Sequence, residues 1–505
     1  MNKIGFKNFR KFAEFKPLEY GGITFLVGRN NAGKSTLVKA LLLIIDYLKA
    51  DKINTFSFNQ NNIEDVNIVT FERALNRKAQ VNKDDIISFN ITIEDFIVNL
   101  TITGLEDRTE VKVMTLEIEN ISNGFKFIIK PQESSVTLTT TNISPNDIIT
   151  ENNQLIELQK KRNELAHQSK TFNSKTSTEF IKLNEELKLI KKKIKDLSAS
   201  LKANSSSGNF NLHSFYNYNT LREILKEAIE EHFAEYQTQY NEIQRGKKPK
   251  KIFESLSAFR EYRFRIEQSL TSLYHLQYNT ENIYLGASLI KQSALFAIRD
   301  NKNALAQAIH EFVQLGINNN KSSEAYRFVK EWMGGDRFSV GDNFEIEMYA
   351  GEAYQVKIDS FGKLIHLADK GMGSIQAMLL LIRLATVIHK RLIFKKNYTV
   401  IIEEPELNLH PALQSLLADL FFEVNNKYEI NFIVETHSEY LIRKSQLLVK
   451  EKELEISVND NPFNVYYFDD EKGPYKMNYR ADGKFIEEFG TGFFDETRNI
   501  VKKMI

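Results

Sequence analysis

Apolar and polar positions change period along the chain, and the changes divide it. "DIISFNITIEDFIVNLTITG" (from Asp85) and "KVMTLEIENISNGFKFIIK" (from Lys112) alternate apolar and polar residues and are rich in β-branched side chains. This period of two predicts strands buried on one face. Ile23 to Val27, Val400 to Ile402 and Ile430 to Val434 are short apolar runs, the pattern of strands buried on both faces. Between residues 146 and 285 the period becomes helical and Lys, Glu, Gln and Leu dominate. Leu183, Leu187, Ile190, Ile194, Leu197 and Leu201 are spaced alternately four and three apart, an a/d stripe. Leu155, Leu158 and Leu165 form a shorter stripe, and "TFNSKTST" breaks the two apart. These stripes predict either a short antiparallel coiled-coil hairpin or two amphipathic helices packed on the body. "NSSSGN", Asn204 to Asn209, reads as a linker. From 286 onward helices, a β-meander and then βα units are expected, with no solenoid repeat. The expected organisation is 1–145, 146–285 and 286–505.

Composition narrows the class. At 505 residues, two or more lobes are expected. The formal net charge of +1 provides no bulk field toward nucleic acid or acidic partners. Cysteine is absent, which excludes structural disulfides and cysteine zinc sites and suits a reducing compartment. "MNKIGFKNFRKF" has no apolar h-region, and the apolar runs "ALLLII" and "AMLLLI" are cut by Asp46 and Arg383. A soluble cytoplasmic protein with no membrane partner is expected. The basic run "RGKKPKK", Arg245 to Lys251, is read as a solvated loop, with a grip on phosphates as the alternative.

The candidate chemistry begins at "GRNNAGKST", Gly28 to Thr36, which lies between an apolar run and a Leu-rich helical one. Gly28 and Gly33 let the backbone curl so that N–H groups of the loop, which carries Asn30, Asn31 and Ala32, face phosphate oxygens. Lys34 would reach the β- and γ-phosphates, Ser35 would ligate Mg2+, and the helix entered at Ser35 and Thr36 turns its positive end to the anion. In "YTVIIEEPELNLHP" two carboxylates end an apolar run, where doubly wound sheets place ligands. Glu403 is expected in the Mg2+ shell, and Glu404 as the group that orients or deprotonates the attacking water. Pro405 then turns the chain out of the strand. "INFIVETHSEYLI" ends in Glu435-Thr436-His437, and a histidine there can donate to a γ-phosphate.

Together these motifs resemble the ABC-type ATPase heads of the SMC/RecF superfamily, nearest to the OLD-like branch of phage-defence ATPase subunits (Septu- and PARIS-like, without a Toprim nuclease domain). "NKIGFKNFRKF" looks like that family's opening strand and loop and puts Arg10 at the nucleotide. "GRNNAGKST" resembles its Walker A, "VIIEEPELNLHP" its Walker B and D-loop, and "ETHSEYLI" its H-loop. "HLADKGMGSIQ" sits where the family has its signature loop, which assigns Gly371, Gly373 and Ser374. "FGTGFFDET", Phe489 to Thr497, resembles a C-terminal stretch of such ATPases. The chain departs from the pattern in having Glu403 for the usual Walker B aspartate, His410 for the D-loop aspartate, and "GMGSIQ" for Leu-Ser-Gly-Gly-Gln. Gln80, in "NRKAQ", is taken as the Q-loop residue, touching both nucleotide and metal.

The resemblance implies an α/β P-loop ATPase head with a β-rich subdomain and an inserted helical region, using ATP and Mg2+. Two heads would sandwich ATP, Ser374 of one capping the γ-phosphate held by the other. Hydrolysis would be slow and would release the pair. The implied partners are ATP, a second copy of the chain, a separate effector such as a nuclease or toxin, and possibly DNA. A RecF-like DNA-repair ATPase and an OLD-like nuclease are the alternatives. The nuclease reading is disfavoured because Asp469 and Asp470 have no partner glutamate motif upstream.

Overall fold

The computed structural model describes residues 2–50, 53–58, 68–104, 107, 109–140, 157–158, 160–168, 178–200, 206–211, 221–232, 234, 263–271, 273, 280–287, 293–300, 303–451, 461–490 and 494. The fold is α/β and falls into two compact units, one of residues 1–2, 18–42 and 278–505 and the other of residues 3–17 and 43–277.

The first unit is built on a six-stranded sheet. Its order is Thr280–Leu285, Asn397–Glu403, Asn431–Glu435, Ile23–Gly28, Phe463–Asp469 and Gly473–Met477. The first five strands run parallel and the last is antiparallel. Ile23–Gly28, early in the chain, thus lies between two strands from far later in it. The helices Met372–Phe394, Pro411–Tyr428 and Glu439–Glu451 contribute apolar faces to a core shared with Phe25, Val27, Val400, Phe432 and Val465. Burial on both faces accounts for the apolar runs Phe25 to Val27, Val400 to Ile402 and Phe432 to Val434 in these strands. Helix starts follow local capping chemistry. Asn303 accepts from the N–H groups of Leu305 and Ala306, and Ser323 from that of Tyr326. The expected meander is present as Asn343–Tyr349, Ala353–Ser360 and Lys363–His366.

The second unit carries most of a nine-stranded antiparallel sheet. Its order is Ser206–Asn211, Ser135–Thr140, Phe125–Lys130, Glu110–Asn120, Phe96–Thr103, Ile86–Ile93, Asn2–Phe9 and Phe12–Tyr20, with Thr55–Ser57 beside Glu110–Asn120. Phe96–Thr103 alternates buried and half-buried positions without a break, as period two requires. Phe9, Phe56 and Phe89 pack ring to ring on the buried face.

The linker reading of "NSSSGN" is corrected from Ser206 onward. Ser206–Asn211 is an edge strand in register with Ser135–Thr140, Ser206 facing Thr140 and Asn211 facing Ser135. Ser, Gly and Asn have low strand propensity, but the free edge of a neighbouring strand supplies backbone partners whatever the side chains.

The helix Thr178–Ser200 buries Leu187 and Ile190, and Lys161 Nζ lies 3.0 Å from Glu186 Oε1, tying the helical residues 160–168 to it. Leu155, Leu201, the run "RGKKPKK", nearly all of "TFNSKTST" and most of "FGTGFFDET" lie outside the described residues, as does the side chain of Leu197. Among the described residues no helix is long and apolar enough to cross a membrane.

Candidate functional site

The chemistry expected from sequence gathers at the C-terminal ends of three adjacent parallel strands in the first unit, the edge at which open α/β sheets bind ligands. Ile23–Gly28 is buried at every position. At its end Gly28 adopts φ 139°, and a Cβ there would stand 2.5 Å from the carbonyl oxygen of Phe468, so a side chain has no room. Asn31 (φ 63°) and Gly33 (φ 104°) complete the curl. Asn30 and Asn31 are exposed and Ala32 is buried. The N–H groups of Thr36 and Leu37 both donate to Gly33 O, closing the first turn of the helix Lys34–Lys49. That first turn has no acidic residue to neutralise the helix's positive end.

Lys34 is 2% exposed and folds back over the loop, donating from Nζ to Gly28 O (3.1 Å) and Arg29 O (2.9 Å). Its Nζ is also 3.8 Å from Glu435 Oε1. Ser35 Oγ donates to the same carboxylate, at 2.9 Å from Oε2 and 3.1 Å from Oε1. Burial lowers the pKa of Lys34 despite the opposing pull of Glu435. Burial, reinforced by the charge of Glu403, pushes Glu435 up to about 7. The distance describes an ion pair, yet both partners shift toward their neutral forms. We conclude that desolvation outweighs their mutual attraction.

Glu403 and Glu435 are direct partners in the register of neighbouring strands. Burial raises the pKa of Glu403, opposed by a hydrogen bond from the Tyr284 side chain, and Glu403 Oε1 has no partner. Glu404 leaves the strand at φ 48° and its N–H donates to Glu435 O at 2.8 Å, which locks the two strand ends together. His437 Nε2 lies 3.8 Å from Glu404 Oε1. Burial and the Lys34 charge hold His437 down at about 4, so at neutral pH it is an uncharged imidazole and this contact is not an ion pair. Glu406 is 8% exposed and accepts the His437 N–H at 2.6 Å through Oε1, while its Oε2 has no partner. The turn after Glu404 thereby sets the backbone position of His437.

His410 caps the helix Pro411–Tyr428, its Nδ1 accepting from Ala412 N–H, with Pro411 in the first turn. Gly371 begins the helix Met372–Phe394 without a side-chain cap, leaving a bare helix N-terminus, and Ser374 N–H donates to Gly371 O. Gly373 packs against the turn after Glu404: a Cβ there would lie 2.8 Å from Asn408 O.

The structure thus brings together the loop Gly28 to Thr36, Glu403, Glu404 and His437. Arg10 and Gln80 belong to the second unit. Arg10 sits at φ 50°, its N–H donating to Ala74 O and its carbonyl accepting from Asn76 Nδ2. Gln80 Nε2 donates to the carbonyls of Glu72 and Leu75. Sequence reasoning gave no role to Glu435, or to Glu406 as the anchor of the His437 backbone. The rule that singled out Glu403, a carboxylate ending an apolar strand, applies equally to Glu435.

The donor set fits a P-loop nucleotide with a divalent cation: a hydroxyl at the helix start, a lysine in the loop, and carboxylates at the strand ends, one with a free buried oxygen. Among the described residues no three His, Asp or Glu side chains form a metal cage. Mg2+ commonly takes one or two carboxylates together with substrate phosphates instead.

The family model described as an AAA ATPase domain matches residues 1–442. Two solved structures are similar to the chain. The Smc head domain with an extended coiled coil, bound to the C-terminal domain of ScpA and derived from Pyrococcus furiosus, is 11% identical over 100% of both chains, with a TM-score of 0.33. The SmcHead bound to the C-winged helix domain of ScpA is 11% identical over 96% of this chain and 95% of that one, also with a TM-score of 0.33. Likeness of that degree carries nothing about partners or activity. No curated protein matches the chain. With the family model spanning most of the sequence and its P-loop built as described, the chain belongs to the AAA ATPase domain family.

Proposed function

We propose that the chain is an ATP-binding and slowly ATP-hydrolysing switch whose heads pair around the nucleotide, and that it serves as the regulatory ATPase of an anti-phage defence system, gating a separate effector. The observation that carries the ATPase reading is the convergence of Lys34, Ser35, Glu404 and His437 at one sheet edge, joined by the contacts of Glu435 and Glu406. In this reading Lys34 meets the β- and γ-phosphates, and Ser35 with Glu403 holds Mg2+. That cation, when bound, neutralises phosphate charge. Glu404 accepts the proton of the attacking water. His437, kept neutral by burial, presents its imidazole to the γ-phosphate. Arg10 is assigned to the nucleotide, and Gln80 to nucleotide and metal. The bare helix start at Gly371, with Gly373 and Ser374, caps the phosphate of the opposing head, and dissociation follows loss of that bridge.

The defence role rests on the resemblance of "VIIEEPELNLHP" and "ETHSEYLI" to OLD-like ATPases. The segment 146–285 is assigned to contacts with a second copy, the effector or DNA. Lys34→Ala tests the site: titration calorimetry should show nucleotide affinity falling at least roughly a hundredfold, because a desolvated phosphate loses its charged partner. Affinity equal to that of the unaltered protein would remove the site assignment.

A further inference from the structure

Glu435 holds positions that a bound nucleotide would need. Its carboxylate accepts from Ser35 Oγ through both oxygens and stands 3.8 Å from Lys34 Nζ. These are the hydroxyl and the ammonium that a P-loop offers to cation and phosphate. The residue is 7% exposed, and its strand register places it between Leu26 and Glu403. Its backbone is fixed as well, its carbonyl accepting from Glu404 N–H. Glu403 is engaged differently: its carboxylate takes a hydrogen bond from the Tyr284 side chain, on the far side of its strand from Glu435. Ser35 is therefore tied to the carboxylate nearest the P-loop strand.

We propose that Glu435 is a built-in substitute ligand, whose carboxylate engages Ser35 and Lys34 and makes entry of a nucleotide depend on a divalent cation. The argument is electrostatic. A triphosphate that reaches Lys34 without a cation faces a buried carboxylate held on Ser35 Oγ, with Glu403 beside it. Like charges at that range and burial repel strongly. With a divalent cation present, Ser35 Oγ and the Glu435 carboxylate become cation ligands and the repulsion turns into attraction. The carboxylate that excludes free ATP thus favours ATP carrying its metal. This inference rests on the ATPase reading above and adds a selection step to it.

The test is equilibrium binding of a fluorescent ATP analogue to the full-length protein, with excess Mg2+ and with EDTA. Compared are the unaltered chain, Glu435→Gln, Glu435→Asp and Glu403→Gln, each checked for folding by thermal unfolding. The unaltered protein should bind at least roughly tenfold more tightly with Mg2+. Glu435→Gln keeps the shape and a group that can accept from Ser35, but removes the charge. Its Mg2+ preference should shrink toward one, chiefly because binding in EDTA tightens. Glu435→Asp keeps the charge, one methylene further back, and should retain weak binding in EDTA. It also stands in if the glutamine variant fails to fold. Glu403→Gln, which removes the neighbouring charge but leaves the carboxylate on Ser35, should tighten binding in EDTA less than Glu435→Gln does. A folded Glu435→Gln with unaltered Mg2+ preference, or a Glu435→Asp that binds tightly in EDTA, overturns the proposal while the ATPase reading stands. If the unaltered chain binds no nucleotide in either condition, both fall.

Discussion

The two sheets of this protein solve different problems with the same backbone chemistry. The parallel sheet of the first unit has strands such as Ile23–Gly28 that are buried at every position, so its faces pack into core and the candidate chemistry is confined to strand ends. There Gly28, Glu403 and Glu435 stand where three strands stop. The antiparallel sheet of the second unit alternates, as in Phe96–Thr103, and its buried face is packed with phenylalanine. In the first unit, stability and chemistry are separated by position along the strand. In the second, core and surface are separated by face. A substitution should therefore affect folding or nucleotide chemistry according to where on its strand it falls.

The largest effect expected from this contrast is on stability. Phe89 is 1% exposed and packs against Phe9 and Phe56. Phe89→Ala should cost about 3–5 kcal/mol of folding stability through lost burial and the cavity left behind. Denaturant titration would measure it. Nucleotide affinity of the protein still folded should stay within about twofold, as for a site with no shared partners. If affinity falls along with stability, the two units are energetically one.

A smaller effect is expected where the helix Met372–Phe394 meets the turn after Glu404. Gly373→Ala would bring a Cβ to 2.8 Å from Asn408 O, so helix start or turn must shift. ATP turnover should drop roughly tenfold, the scale of a misplacement of an ångström or less near the chemistry, with single-head nucleotide affinity preserved. Unchanged turnover would show that the turn carrying Glu404 tolerates displacement.

The smallest effect concerns proton linkage. His437 sits at about 4 in the folded head against an ordinary value near 6.5, so the unfolded chain binds more protons between those limits. Its contribution to stability is present above pH 6.5 and is lost as pH falls toward 4. Glu435, raised to about 7, acts oppositely: the folded form takes up its proton first, so its contribution is present at low pH and is lost as pH rises through 7. His437→Gln removes only the first effect. Its denaturation midpoint, relative to the unaltered protein, should therefore rise steadily from pH 6.5 to pH 5. A constant offset would mean that His437 titrates normally.

How much of this was legible in the sequence depends on how local the signal is. The curl of the loop Gly28 to Thr36 was legible because its glycines and the apolar run before them are neighbours in sequence. Glu403 and Glu404 follow from one apolar run and its end. Leu187 and Ile190 were legible as buried because helical period alone aligns them. The contacts of Glu435 were not, since they depend on Asn431–Glu435 lying between Ile23–Gly28 and Asn397–Glu403. Strand order is set by packing between segments hundreds of residues apart, and no local pattern records it. Ser206–Asn211 was missed for a related reason: its backbone pairs with Ser135–Thr140 while its composition resembles a loop.

The central claim, that ATP closes a pair of heads, is tested most directly by the mass of Glu404→Gln in solution. Glutamine keeps the shape of the side chain and can still hydrogen-bond the water, but it cannot take its proton, so binding should survive while hydrolysis stops. Light scattering of this variant with Mg2+ and ATP should show mass rising to a stable assembly larger than that seen without nucleotide. Ser374→Arg added to the same chain should abolish the rise by placing bulk where the opposing phosphate docks. The unaltered protein should show only a transient increase. A mass unchanged by ATP in all three would contradict the account and leave an ATPase that does not work by pairing its heads.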